Sequence, residues 1–301
     1  MANGIFVGLS TIDIVYTVDE FPEANAKAAA LSQNVFVGGP ATNAAVTFAH
    51  LGGKAALVTT VGCNALAGVV RQDLEKYSVR LVDLNPVFEG VPALSSVVVD
   101  RSGNCKVVSA NATRIAAQAA KVDKNLCEQA RLVLVDGHYP EACQAWASAA
   151  RAGGTPVVLD GGSWKDGTPE LLKTVDTVIC SANFLPPGCF SKDDVIQYLK
   201  DCGVAKVAIT DGDGPIQYSC GESVGALSVP QIEPVDTMGA GDIFHGAFCY
   251  FAASGLEFVE SLAEAAKVAS ESCRYAGARE WMKQVPDVDS RTGSAGANPG
   301  L

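Results

Sequence analysis

Short, continuously apolar segments alternate with helical patterns in the second half of the chain, and this alternation constrains the fold more than any other feature. The predicted strands are Leu132–Asp136, Val157–Asp160, Thr177–Cys180 and Lys206–Thr210, with helices near Glu141–Ala152, Pro169–Leu172 and Lys192–Cys202. Apolar strands that alternate with helices form a parallel sheet that is covered on both faces. The sequence therefore predicts an α/β chain with a mostly parallel central sheet.

Polar residues follow each of these strands, namely Asp136 and His138, Asp160, Asn183, and Thr210 with Asp211. One polar residue at the end of a strand is ordinary, because strands commonly end at the surface. Open parallel sheets, however, bind their ligands beyond the carboxyl ends of the strands. The whole series therefore predicts a shared ligand cleft at that edge of the sheet.

The first third of the chain has a different pattern. Ile12–Val18 and Ala28–Val37 are extended segments of alternating polarity, and Leu94–Val99 with Cys105–Ala110 predicts a hairpin. We therefore expect a small, partly exposed sheet from about residues 12–37 and 92–112, attached to one main domain over residues 1–286. Residues 287–301 have almost nothing to bury and predict a flexible C-terminal tail.

A glycine-rich turn, Gly239-Ala240-Gly241, precedes Asp242 and a helical apolar pattern made by Ile243, Phe244, Ala247 and Phe248. The first amides of a helix have no partner within the helix, and the helix dipole is positive there, so this turn is suited to an anion. Asp242 lies in the first turn, where a carboxylate stays ionised and can accept a proton. An ordinary capped helix is the alternative interpretation of the same residues.

The composition argues against several classes of protein. Hydrophobic residues make up 48% of the 301 residues, but no apolar run is long enough to span a membrane. With 22 basic and 33 acidic residues the net charge is −11, which disfavours nucleic acid and anionic membranes as partners. The ten cysteines form no Cys-x-x-Cys pair and the N-terminus has no signal-peptide pattern, so we expect reduced thiols and a cytoplasmic location.

Three segments together resemble one known family. The segment 236–248, Asp-Thr-Met-Gly-Ala-Gly-Asp-Ile-Phe-His-Gly-Ala-Phe, resembles the C-terminal signature of the PfkB (ribokinase-like) carbohydrate kinases. Gly38-Gly39-Pro40-Ala41-Thr42-Asn43 resembles the N-terminal signature, and Thr210-Asp211-Gly212-Asp213-Gly214 follows in the expected order. The similarity covers residues 4 to about 286. It implies a ribokinase-like three-layer α/β/α sandwich with a small β-sheet lid over the substrate.

The resemblance also implies roles for individual residues. Asp242 would be the base that takes the proton of the attacking hydroxyl, and the amides of Gly239, Ala240 and Gly241 would hold the charge on the transferred phosphoryl group. The sugar hydroxyls would be bound by Asp13, Gly38, Gly39 and Asn43. The ATP site would include Thr210, Gly212 and Gly214, with Ala266 and Ser270 near the adenine.

The metal-binding pattern departs from that of many relatives, which carry Asn-x-x-Glu after the middle strand. Here the segment is Asn183-Phe184-Leu185-Pro186, so the asparagine is present and the carboxylate is missing. Phosphoryl transfer still needs Mg²⁺ to offset charge on ATP, and we expect it to enter through ATP and water, or through another acid such as Asp160. Asp236 is a weaker candidate for a monovalent cation such as K⁺.

Three further polar residues, His245, His138 and Lys27, have two interpretations each. His245 is better explained as a packed histidine than as a catalytic one, and His138 is equally suited to touching substrate and to ending a strand. Lys27 is an ordinary solvated lysine or a contact for an anionic group on the substrate, with Asn111 and His138 assisting at the far end of the sugar.

The resemblance implies an ATP-dependent sugar kinase that phosphorylates a primary hydroxyl of a pentose or ketohexose, fructose- or ribose-like, with an anionic sugar as an open variant. A nucleoside kinase and a degenerate, non-catalytic member of the family are the alternatives. Expected partners are the sugar and ATP, together with a second copy of the chain paired through the lid.

Overall fold

The computed structural model describes residues 2–110 and 122–284. Asn111, the end of the predicted lid region and the predicted tail therefore lie outside the described residues. The strands are β1 Asn3–Val7, β2 Thr11–Thr17, β3 Ser32–Gly38, β4 Lys54–Thr59, β5 Arg80–Asp83, β6 Leu94–Val99, β7 Cys105–Ala110, β8 Leu132–Val135, β9 Val157–Gly161, β10 Thr177–Ser181, β11 Lys206–Asp211, β12 Gly214–Cys220 and β13 Ser223–Leu227.

The helices surround these strands. They are α1 Pro40–His50, α2 Ala67–Lys76, α3 Lys124–Gln129, α4 Pro140–Ala152, α5 Thr168–Leu172, α6 Lys192–Asp201, α7 Ala240–Ala253, α8 Phe258–Ser272 and α9 Gly277–Glu280, followed by a short 3₁₀ helix at Trp281–Lys283. Pro40 and Pro140 start α1 and α4, where proline is favoured because the first helical N–H needs no partner within the helix.

The central sheet has nine strands in the order β13-β12-β11-β10-β9-β8-β1-β4-β5. Neighbours from β5 through β11 run parallel, and β12 and β13 continue as antiparallel strands at one edge. The predicted α/β fold with a mostly parallel sheet is confirmed. All four residues of β8 are buried, as expected of a strand covered on both faces.

Two hydrophobic cores lie on opposite faces of this sheet. Phe6 packs in the core beneath α1, α2, α7 and α8, whereas its neighbours Ile5 and Val7 pack in the core beneath α4, α5 and α6. This division follows from the alternation of side chains along β1. The two layers of helices hold the carboxyl ends of the strands at a fixed edge, which is where the candidate site lies.

A second sheet has four strands in the order β3-β2-β6-β7 and corresponds to the predicted small sheet. β2–β3 and β6–β7 pair antiparallel, whereas β2 and β6 pair parallel. The parallel pair requires a long crossover, and the chain supplies it by passing through α1, β4, α2 and β5 between the two strands. We call this second sheet the lid.

Several boundaries differ from the sequence-based predictions. β3 begins at Ser32 rather than Ala28. The sequence pattern predicts a helix over Leu262–Tyr275, whereas α8 begins one turn earlier, at Phe258, where Glu257 and Glu260 form a capping box. The prediction missed β5, a four-residue edge strand with a charged residue at each end, and the short helix α3. Neither segment is long enough to show a clear period.

Two expectations from composition can be compared with the structure. All ten cysteines are free thiols, as the sequence predicted. Among the described residues, none of the helices combines the length and apolar character that a membrane crossing requires.

Candidate active site

Helices α1 and α7 touch through their backbones, and this contact brings the two glycine-rich signatures together. A Cβ atom built on Gly246 of α7 would lie 2.4 Å from the carbonyl oxygen of Ala44 in α1. Only glycine permits that approach. As a result Asn43, beside Ala44, reaches the first turn of α7, and its Nδ2 donates a hydrogen bond of 2.7 Å to Asp242 Oδ2.

The start of α7 has the geometry expected of an anion site. Gly239 precedes the helix with φ +73°, a left-handed conformation that glycine adopts without strain. Ala240 and Gly241 follow as the first helical residues and lie on the wall of a deep cleft. The N–H of Ala240 donates to the carbonyl oxygen of Thr237 at 3.2 Å, whereas no described backbone hydrogen bond engages the N–H of Gly239 or Gly241. The helix start therefore keeps amides available for an anion, with Asp242 one residue further along.

The protonation of Asp242 differs from the sequence-based expectation. Burial and the nearby negative charge of Asp160 raise the pKa of Asp242 to about 7, although the hydrogen bond from Asn43 and the charge of His245 act in the opposite direction. The position in the first helical turn favours the carboxylate, but the low polarity of the surroundings outweighs it. A group that titrates near neutral pH is well matched to accepting a proton.

His245 lies one turn after Asp242 and is 4% exposed. Its Nδ1 is 2.7 Å from the carbonyl oxygen of Gly241, and its Nε2 is 3.0 Å from that of Ile179. Both ring nitrogens therefore face backbone carbonyls. Asp160 Oδ2 lies 3.4 Å from Nδ1. The interpretation of His245 as a packed histidine agrees with its burial.

The lid contributes Asp13, in the middle of β2. Burial raises the pKa of this half-buried carboxyl, while hydrogen bonds from Ser95 and Thr11 lower it. A Cβ atom on Gly38 would lie 2.3 Å from Asp13 Oδ2, so Gly38 makes room for the carboxylate. Gly39 follows and precedes α1 directly. Asp13 thus lies against Gly38, Gly39 leads into α1, and Asn43 of α1 reaches Asp242.

The buried carboxylate of Asp136 holds together the backbone around these residues, a role that the sequence did not indicate. The carboxylate is 2% exposed and accepts backbone hydrogen bonds from Leu9 at 2.8 Å, His138 at 2.9 Å and Ala41 at 3.3 Å. These bonds join the ends of β1 and β8 to the start of α1. His138 is therefore held at the edge of the site by its backbone, with its ring half-buried.

The deep cleft at the start of α7 has a volume of about 570 Å³ and lies beyond the carboxyl ends of β10 and β11. The predicted nucleotide-site residues on its wall are Asn183, Thr210, Gly212, Ala266 and Ser270. Gly214 is not among the lining residues, because it begins β12 and lies just beyond the turn. Asp211, also on the wall, forms an ion pair of 2.6 Å with Lys192.

The described residues contain no group of three or more His, Cys, Asp or Glu side chains that could hold a metal ion. Asn183 is exposed at the cleft. Pro186 occupies the position of the glutamate in the Asn-x-x-Glu pattern. Asp160, the alternative acid, is 5% exposed, faces His245 and does not line the cleft. The donor set therefore fits a metal that arrives on a nucleotide better than one held by the protein alone.

The remaining predicted site residues are Asp236, Lys27 and Asn111. Asp236 accepts backbone hydrogen bonds from Met238 at 2.8 Å and Gly277 at 2.7 Å, so its carboxylate ties the loop before α7 to the start of α9. Lys27 is exposed on the connection between β2 and β3, and no described hydrogen bond joins it to the site. Asn111 lies outside the described residues.

Sequence reasoning missed Arg279. Its side chain is 12% exposed, and its Nη1 donates a hydrogen bond of 2.8 Å to Asn43 Oδ1. Arg279 is 236 positions from Asn43 along the chain and belongs to neither signature, so no local pattern links the two.

Comparison with known proteins is consistent with this geometry. The pfkB family carbohydrate kinase profile matches residues 1–284. The chain is 27% identical to the ribokinase of Bacillus subtilis strain 168, over 96% of this chain and 99% of that protein. It is 28% identical to the ATP-dependent ribose-1-phosphate kinase of Halopiger xanaduensis, over 82% of this chain and 84% of that one.

The fold has close counterparts among solved structures. The Arabidopsis thaliana ribokinase complexed with ribose and ATP superposes with a TM-score of 0.78 at 22% identity, over 96% of each chain. The family match, the shared fold and the two glycine-rich signatures meeting at Asp242 agree with one another. The chain belongs to the pfkB family of carbohydrate kinases, which are phosphotransferases with an alcohol group as acceptor.

Proposed function

We propose that the protein transfers the γ-phosphoryl group of ATP to a primary hydroxyl of a pentose or ketohexose. The observation that supports this most directly is the placement of Asp242. The carboxylate has a pKa of about 7 and contacts Asn43, one of the residues expected to bind the sugar. It also follows the residues at the start of α7 that line the cleft of about 570 Å³. A base and an anion site are thus adjacent, at the junction of the two regions.

In this proposal, the hydroxyl oxygen of the sugar attacks the γ-phosphorus while its proton passes to Asp242. The bond from the γ-phosphorus to the bridging oxygen of ADP breaks, and ADP leaves. The amides at Gly239, Ala240 and Gly241 stabilise the negative charge on the phosphoryl oxygens, in the way helix N-termini bind phosphate. Phosphoryl transfer needs little more than positioning and such charge stabilisation.

The nucleotide would occupy the cleft. Thr210 and Gly212 would contact its phosphates and ribose, while Ala266 and Ser270 of α8 would line the adenine end. Gly214 would act only indirectly, through the turn that shapes the wall. Mg²⁺ would offset the phosphate charge when bound, and Asn183 is the side chain at the cleft that would orient its water ligands. A monovalent cation near Asp236 and a homodimer through the lid stay predictions.

A sugar is a better acceptor than a nucleoside for this site. Asp13 offers acceptors to hydroxyls, and Asn43, whose amide also contacts Asp242 and Arg279, has one further N–H and one further oxygen lone pair for them. A nucleoside base would need an aromatic or apolar pocket in the lid. There Phe21 lies under Lys106 Nζ at 4.2 Å, Phe36 faces Gly277, and Phe88 packs on Gly62 and Gly90. These three rings are thus separately engaged, and no described ring pair joins them.

An anionic sugar is the second candidate. One relative phosphorylates a sugar phosphate by name, as ribose-1-phosphate kinase. In this chain Lys27, His138 and Asn111 are the proposed contacts for such a charge, with Asp13 opposing it. The lid position of Lys27 supports the proposal, since it lies between β2, which carries Asp13, and β3, which ends at Gly38.

The test is ADP release and product formation with a panel of ribose, fructose, ribose-1-phosphate and adenosine. We expect transfer to a sugar or sugar phosphate and little to adenosine. Asp242→Asn should slow single-turnover transfer by about 10²–10⁴-fold while calorimetry shows ATP and sugar still bound. Preferred transfer to adenosine would favour the nucleoside kinase. Binding without transfer by the wild-type protein would favour the non-catalytic alternative.

A further inference from the structure

Arg279 connects four parts of the molecule through one buried guanidinium group. Nη1 donates to Asn43 Oδ1 of α1 at 2.8 Å, and Nη2 donates to the carbonyl oxygen of Val37, at the end of lid strand β3, at 3.2 Å. Nη2 is also 3.5 Å from Asp73 Oδ2 of α2. The guanidinium carbon lies 5.6 Å from the ring centre of Tyr77.

The contact with Arg279 decides which way the Asn43 amide points. An amide has an accepting oxygen and a donating nitrogen, and Arg279 can only donate. With the oxygen held by Arg279, the nitrogen must face Asp242, which it does at 2.7 Å. Without Arg279 the amide could turn its oxygen toward Asp242, and two acceptors would then oppose each other. Both ends of this 5% exposed asparagine are therefore engaged.

We propose that Arg279 is a positioning residue for phosphoryl transfer, which holds Asn43 in the orientation that donates a hydrogen bond to the Asp242 carboxylate. The inference rests on the proposed role of Asp242 as the base. It adds a residue from the C-terminal segment, outside both signatures, to the determinants of catalysis. Because Arg279 also donates to the carbonyl oxygen of Val37, the same side chain links the base to strand β3 of the lid.

The expected consequence is a change in the pH dependence of transfer. The charged and titratable groups around Asp242 are Asp160 of β9, Asp136 just after β8 and His245 of α7, with Asn43 as its hydrogen-bond donor from α1. The hydrogen bond from Asn43 favours the carboxylate and lowers the pKa of Asp242. Loss of that bond should therefore raise the pH at which Asp242 ionises, by about one unit.

The experiment compares kcat/KM against pH for the wild type, Arg279→Met, Arg279→Lys and the matched control Arg274→Met. Arg274 lies in the same segment but is exposed and pairs only with Glu271. In Arg279→Met we expect the acidic limb to move up by about one pH unit, giving about a five-fold loss at pH 7 that nearly disappears by about pH 9. Arg279→Lys should restore part of the shift, and Arg274→Met should show none.

Two further variants separate positioning from a structural role. Asp73→Asn removes the acidic neighbour of Arg279 but leaves Asn43 bonded, so the limb should stay in place. Asn43→Leu should move the acidic limb of the kcat/KM profile to higher pH. The double variant Asn43→Leu/Arg279→Met should show the same limb as Asn43→Leu alone. A lower thermal midpoint with an unmoved limb in Arg279→Met, or an equal shift in Asp73→Asn, would overturn the inference.

Failure of the base assignment gives a different result. If Asp242→Asn keeps single-turnover transfer near the wild-type rate, Asp242 is not the base and the proposed function loses its main support. If Asp242→Asn is inactive but Arg279→Met and Arg279→Lys keep the wild-type pH profile, only the role of Arg279 is refuted.

Discussion

The backbone contact between α1 and α7 predicts an unusual outcome for Gly246→Ala. Replacing glycine by alanine inside a helix normally stabilises a protein by about 1 kcal/mol, through helix propensity. Here the added Cβ would lie 2.4 Å from the carbonyl oxygen of Ala44 and 2.8 Å from Thr47 Cβ, where ordinary contacts begin at 3.4 Å. The opposing carbonyl belongs to the backbone of α1 and cannot rotate away as a side chain could.

The direction of the stability change in Gly246→Ala follows from comparing the helix-propensity gain with the cost of the steric contact. Relief of the contact requires the helices to separate by about 1 Å, and overpacking of this kind costs about 1–3 kcal/mol. After subtraction of the propensity gain, we expect a net loss of about 0–2 kcal/mol and a thermal midpoint lower by up to about 3 °C for a chain of 301 residues. Since α1 carries Asn43 and α7 carries Asp242, the same displacement should lower kcat by up to about 10²-fold.

Gly68→Ala in α2 is the matched control, because nothing lies within 4 Å of the position that its Cβ would take. That variant should be stabilised by about 0.5–1 kcal/mol and retain wild-type kinetics. Thermal unfolding monitored by circular dichroism, together with steady-state transfer assays, measures both effects. A Gly246→Ala protein that is as stable as Gly68→Ala and fully active would refute the proposed contact and its role in placing Asn43.

Three other predictions concern the chemistry of the site. Because burial and Asp160 raise the pKa of Asp242 to about 7, kcat/KM should rise with pH through about 7 and level off above about pH 8, as the carboxylate becomes the dominant form; a pH profile whose acidic limb lies near pH 4 would contradict this. Mg²⁺ should bind weakly to the nucleotide-free protein, since no described cluster of three ligating side chains exists and Pro186 replaces the missing carboxylate; calorimetry showing tight binding without ATP would disprove it. Lys27→Ala should raise KM for a phosphorylated sugar by about 10-fold or more and leave KM for a neutral sugar nearly unchanged; equal changes for the two substrates would remove Lys27 from the specificity proposal.

The sequence alone determined the class of fold and predicted where the candidate site lies. Continuous apolar runs such as Leu132–Val135 leave no polar face for solvent, so they specify strands covered on both sides. The glycine-rich turn before Asp242 specifies a helix N-terminus with free amides, because only glycine adopts the conformation seen at Gly239 without strain. Both features are local, and a local pattern is what a single sequence displays.

Elements that depend on neighbours were predicted less well. β5 is only four residues long and is recognised as a strand by its pairing with β4 rather than by its own pattern. The start of α8 was placed one turn late, although Glu257 and Glu260 carried a capping signal. The parallel pairing of β2 with β6 also follows from the route of the chain through the main domain, which local patterns do not contain.

Only the tertiary structure decided how the site residues act on one another. The pKa of Asp242, in helix α7, is raised by burial and by Asp160, which lies on strand β9, 82 positions earlier, and these influences outweigh the local helix effect that the sequence suggested. Asn43 contacts Asp242 and Arg279, at separations of 199 and 236 positions, because the backbones of α1 and α7 meet at Gly246. Charge, burial and hydrogen-bond direction are properties of the packed site, so the sequence predicted Asn43 and Asp242 but not Arg279, and only the fold determines how the three contact one another.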